Sequence, residues 1–91
     1  MTYKVKSITD LDGNPRTDGR YPLRIGRVCE FLNAVTVGQC LYIKWILNSD
    51  GLPYGGWIRT SLVCDWSMSA SGCVVVTTCN SIYTFEPYQE A

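Results

Sequence analysis

The sequence predicts an all-β fold: a small SH3-like barrel of about six short, mostly antiparallel strands. Three observations lead there. Apolar residues recur at period two in several short stretches. Clusters of Gly, Asp, Asn and Pro separate those stretches. No segment keeps a 3.6-residue apolar period over three turns. Six or seven strands in 91 residues, with one long loop after the first, suit a closed barrel, which limits exposed sheet edges.

The elements follow in order. Residues 2–8 set Tyr3 and Val5 on one face and Lys4 and Lys6 on the other, the mark of a half-buried strand. Residues 9–20 hold Asp10, Asp12-Gly13-Asn14-Pro15 and Asp18-Gly19, a long loop. Residues 21–32 are expected to be a second strand, with Gly26 marking a bulge or bend. A short helix over residues 27–33 is the alternative there, since Val28, Phe31 and Leu32 would share a side. Residues 40–48 form the strongest strand, with Leu41, Ile43, Trp45 and Leu47 facing the core. Asn48 to Pro53 turns the chain, and residues 56–63 return with Ile58, Thr60 and Leu62 inward. A further strand is expected at 64–69, then a turn at Ser69 to Gly72. The β-branched run from Cys73 to Thr78 and the segment Ile82 to Glu86 are the last strands, with Tyr83 and Phe85 in the core.

Composition narrows the function. The length predicts a single domain over residues 1–91, with one core and little room for a deep active site. Charged residues are only 18% of the chain, so apolar and neutral groups must cover much of the surface, which favours a partner or a second copy. A net charge of zero argues against a general nucleic-acid binder. Residues 1–27 nevertheless carry six Lys and Arg against three Asp. No apolar run is long enough to span a membrane, and the N-terminal residues lack the apolar core of an export signal. The expected setting is cytoplasmic, with five free cysteines serving mostly as small buried hydrophobes.

The residues present disfavour most catalysis. There is no histidine, which removes the usual general base and the commonest metal ligand. The closest cysteine spacing, Cys73-x5-Cys79, does not match a zinc pair. Asp10 to Asn14 lacks the glycine position and the glutamate of a calcium loop. No phosphate-cradling glycine loop precedes a helix. The expectation is a non-enzymatic protein with no metal or cofactor.

Arg59-Thr60-Ser61-Leu62-Val63 and Val76 to Glu86 carry the pattern TSxV…VTTxNSxYxFE. It resembles short proteins of Firmicutes and their phages that have no assigned activity. The resemblance covers about a third of the chain. It implies a bacterial or phage origin and carries over no functional residue.

Two sets of residues remain as candidates. Tyr42, Lys44, Trp57 and Arg59 are expected on the outer face of a hairpin, where such side chains dominate interface hot spots. Tyr54 and Trp66 add to the aromatic load outside the core. Arg16, Arg20, Arg24 and Arg27, with Tyr21 among them, are suited to gripping an anion bidentately. The leading expectation follows from the first set, a module that binds a protein partner or its own copy, as a bacterial or phage modulator of a host protein would; the second set carries the alternative. The second predicts sequestration of a small anionic ligand such as a cyclic nucleotide at a subunit interface.

Overall fold

In the computed structural model, which describes residues 2–89, each of six strands hydrogen-bonds its sequence neighbours and the last closes on the first. They are β1 (Thr2–Thr9), β2 (Val28–Phe31), β3 (Cys40–Leu47), β4 (Trp57–Met68), β5 (Val74–Thr78) and β6 (Ile82–Pro87). All pairings are antiparallel, and the result is a small closed all-β barrel consistent with the SH3-like class. One helical turn, α1 (Tyr21–Arg24), lies between β1 and β2. The core joins Tyr3, Val5, Ile8, Cys29, Leu41, Ile43, Trp45, Val63, Val74, Val76, Tyr83 and Phe85. Tyr3 stacks on Phe31, and Phe85 meets Phe31 edge-on and Tyr83 face-on.

Residues 21–32 are not one strand. Pro22 has no N–H for a sheet ladder, and its fixed φ suits the first turn of a helix, so the chain coils over α1 instead. Gly26 at φ +86° then turns the backbone, and its N–H reaches the Val5 carbonyl at 2.9 Å. Val5 in turn donates to the Arg27 carbonyl at 2.9 Å, so the β1–β2 ladder starts before β2 proper. The alternative helix over residues 27–33 is likewise absent, because Val28–Phe31 is β2.

The strands expected at 56–63 and 64–69 are one twelve-residue strand, β4. Nothing turn-forming separates them; a bulge at Cys64, between the pairs Val63↔Thr78 and Asp65↔Thr77, bends the strand instead. A second bulge sets Thr60 and Ser61 opposite Leu41, and it moves Leu62 out of its expected inward position to 48% exposure. Thr60 Oγ1 repairs the ladder there by accepting from the Leu41 N–H at 3.0 Å and donating to the Ser61 carbonyl at 2.8 Å. In β3 an irregularity between the pairs Val28↔Leu47 and Cys29↔Trp45 takes Leu47 out of the core set as well.

The cysteines also depart from expectation. Only Cys29 is buried; Cys40 and Cys73 are half-buried, and Cys64 and Cys79 are exposed. Burial pushes the Cys29 thiol up to about 12. No helix is long and apolar enough to cross a membrane among the described residues.

Candidate functional site

The arginine-rich segment and the start of β4 meet at one end of the barrel. Their side chains line a cavity of about 240 Å³, formed by Arg20, Leu23, Arg24 and Arg27 on one side. Trp45 from β3 and the run Tyr54-Gly55-Gly56-Trp57-Ile58 form the other. The local sequence explains the arrangement. Pro22 starts the helical turn that brings Arg20 and Arg24 to the rim. Gly55 and Gly56 contribute no side chain, which leaves the space between Tyr54 and Trp57 open. Gly56 holds φ +106°, and its carbonyl accepts from the Trp45 N–H at 2.9 Å.

Each arginine is positioned differently. The Arg27 guanidinium lies 4.4 Å from the Tyr54 ring centre and 5.1 Å from that of Trp45. Its Nε donates to Asn48 Oδ1 at 3.1 Å. Arg24 sits 5.0 Å from the Tyr21 ring centre and donates to the Tyr83 hydroxyl at 3.5 Å. Burial raises the Tyr83 hydroxyl above its ordinary pKa, with Arg24 pulling the other way. Arg20 is exposed and its guanidinium makes no hydrogen bond within the described residues. Among the described residues no carboxylate lines the cavity. The ion pairs among the described residues are Arg16–Asp18 at 2.8 Å and Lys44–Glu30 at 3.9 Å, so Arg20, Arg24 and Arg27 carry no acidic partner there.

Arg16 and Tyr21 do not line this cavity. Arg16 grips Asp18 through Nε and Nη2 at 2.9 and 2.8 Å, and it donates to the Asn80 carbonyl at 2.7 Å and Ser81 Oγ at 3.1 Å. It therefore ties the first loop to the β5–β6 turn. Tyr21 is a platform carrying Arg16 at 4.4 Å and Arg24 at 5.0 Å. Three of the four arginines thus converge, and the fourth is structural.

The other predicted set is also brought together. Register pairs Tyr42 with Arg59 and Lys44 with Trp57 across β3 and β4, so the four side chains share the outer face. The Tyr42 and Trp57 rings lie 5.9 Å apart. Trp57, 62% exposed, belongs to both this face and the cavity. Sequence reasoning missed that Trp45, a core residue only 4% exposed, also borders the cavity. The signal for that wall is the aromatic-Gly-Gly-aromatic run Tyr54 to Trp57, which reads equally well as a plain turn.

Among the described residues no group of three or more Cys, Asp or Glu is placed to hold a metal ion. The chain matches no family model, no curated protein and no solved structure.

Proposed function

We propose that this protein is a small non-enzymatic binding module whose cavity holds an anion of the nucleotide class, its phosphate on the arginines and its planar base on the aromatic rings. The observation that supports it most directly is the meeting of Arg20, Arg24 and Arg27 with Tyr54 and Trp57, with no neutralising carboxylate among the described residues. Guanidinium groups recognise phosphate through paired N–H donors, and aromatic faces stack on bases. Stacking of Arg27 on two rings fixes its fork before a ligand arrives, which lowers the ordering cost of binding. A cavity of about 240 Å³ is small for a whole nucleotide, so part of the ligand projects outward, towards solvent or a second copy.

The test is a titration with AMP and 3′,5′-cyclic AMP, alongside adenosine and inorganic phosphate as half-ligands. Trp45 and Trp57 report stacking through their fluorescence. The nucleotides should quench that emission and bind more tightly than either half, with affinity falling as salt rises. Equal affinity for adenosine and AMP would count against the reading.

The outer face supports a second reading. Tyr42, Lys44, Trp57 and Arg59 lie side by side on β3 and β4, a composition suited to a protein partner or a second copy. The resemblance to phage proteins makes a modulator of a host protein the natural form of that reading. A pull-down in which Trp57→Ala and Arg59→Ala both retain the partner removes it.

A further inference from the structure

Five cysteines are spread over the barrel, and two of them meet. Cys64 is the extra residue of the β4 bulge, and Cys79 follows the end of β5. The Cys79 N–H donates to the Leu62 carbonyl at 3.1 Å, which holds the turn against β4. The two sulfurs lie 3.6 Å apart, and both residues are exposed. A disulfide needs its sulfurs at about 2.05 Å. Cys64, as the extra residue of the bulge, has no cross-strand partner in the ladder, and apart from Cys79 its thiol has one further weak contact, to the Leu62 carbonyl at 3.8 Å. The other three thiols are placed differently. Cys29 is buried, Cys40 is half-buried, and Cys73, also half-buried, receives a hydrogen bond from Ser71 Oγ at 3.7 Å.

From this geometry we propose that Cys64 and Cys79 are a dithiol modification site that reacts with low-molecular-weight disulfides to form a reversible internal disulfide. One protein thiolate attacks the reagent's S–S bond, forms a mixed disulfide and releases one reagent thiolate, which takes up a proton. The second protein thiol loses its proton and attacks the protein sulfur of the mixed disulfide. The Sγ–Sγ bond forms and the second reagent thiol leaves. Two electrons pass from the protein thiols to the reagent, which ends as two thiols carrying the two protons. The hydrogen bond with Cys79 holds the Cys64 thiol above its ordinary pKa, so the exchange accelerates as pH rises.

The bond would join the β4 bulge to the segment Cys79-Asn80-Ser81, which Arg16 already grips from the first loop. Oxidation therefore fixes the end of the barrel where β4, the first loop and the β5–β6 turn come together. It does so without touching the arginine cavity, which neither cysteine lines.

The experiment treats the folded full-length protein with oxidised glutathione, quenches with acid, alkylates remaining thiols and digests with chymotrypsin. Arg59 is the last basic residue, so trypsin would leave Cys64, Cys73 and Cys79 on one peptide. Cleavage after Trp66 separates Cys64 from the other two. The expected product is the protein less two hydrogens, with the Cys64 peptide linked to the one holding Cys79, and full reversal by dithiothreitol. Cys73→Ser should leave this product intact. Cys64→Ser and Cys79→Ser should each stop at a glutathione adduct on the remaining partner. An internal disulfide that survives in Cys64→Ser, or a wild-type protein that accumulates only the mixed disulfide, overturns the assignment.

Discussion

Arg20→Ala and Arg59→Ala form a matched pair of perturbations. Both side chains are exposed arginines, so each substitution removes the same charge. Neither makes an ion pair among the described residues, and folding stability should move by no more than about 0.5 kcal/mol in either variant. Their positions differ. Arg20 lines the cavity, whereas Arg59 lies opposite Tyr42 on the outer face. A hydrogen bond to a charged group contributes roughly 1.5–3 kcal/mol. Loss of Arg20 should therefore weaken AMP binding roughly 10- to 150-fold. Arg59 does not line the cavity and so contributes at most the weak effect of an exposed surface charge, and its loss should change affinity about fivefold or less. Tryptophan fluorescence titration at two salt concentrations measures both affinities, with a thermal melt as the control for folding. Equal losses in the two variants, or none in either, would refute the cavity as the anion site. The opposite ranking for capture of a protein partner would assign binding to the outer face instead.

Other perturbations read separate parts of the molecule. Thr60→Val removes the hydroxyl that satisfies the buried Leu41 N–H, and should destabilise by about 1–3 kcal/mol in urea titration. Phe85→Ala empties the centre of the aromatic core, where Phe85 is fully buried, and should cost about 3–5 kcal/mol, most of the stability of a domain this small. Cys29 should resist iodoacetamide in the native protein at neutral pH and react once the protein is unfolded, since burial holds its thiol up at about 12. The Asp18 carboxyl, held below its ordinary value of 3.8 chiefly by the hydrogen bond from Arg16, should titrate at lower pH than an unpaired aspartate by carboxyl NMR. Its contribution is present above the unfolded value and is lost as pH falls through the lowered folded one, so the first loop should loosen only in acid.

Much of the barrel was legible because its strands are short and their apolar residues alternate. Tyr83 and Phe85 lie buried as expected, and Val74 and Val76 on the neighbouring strand keep the same alternation and are buried too. The misplacements arise where parity slips. The bulge at Thr60 and Ser61 turns Leu62 outward, and the one near Ile46 removes Leu47; a further bulge at Lys6 brings Ile8, which no expectation covered, into the core beside Val5. Period two cannot register an inserted residue, because the signal of a bulge is a hydrogen-bond pattern and not a residue type. The strand expected over residues 21–32 fails in its first half for a different reason: Gly26 marks a bend, but Pro22 also starts a helical turn. The site was half legible. Tyr42, Lys44, Trp57 and Arg59 could be placed on one outer face from alternation alone. The convergence of Arg20, Arg24 and Arg27 depends on α1 and on the approach of the β3–β4 connection, which no local pattern encodes.

The seam between β1 and β6 gives the barrel an unusual freedom in where its chain is cut. Thr2 accepts a backbone hydrogen bond from Tyr88 at 3.1 Å and returns one from its hydroxyl to the Tyr88 carbonyl at 2.9 Å. Every other strand pairing joins neighbours in sequence, so the six strands form a ring of hairpins with one break. A short glycine-rich tether across that break would complete the ring. Reopening it at the exposed Ser49-Asp50-Gly51 tip would give a permuted chain with all six pairings retained. In that permutant β3 and β4, which carry the outer aromatic face, would no longer be joined directly by the chain. Whether they still find each other becomes a measure of how far the sheet register, rather than the connecting loop, specifies that face.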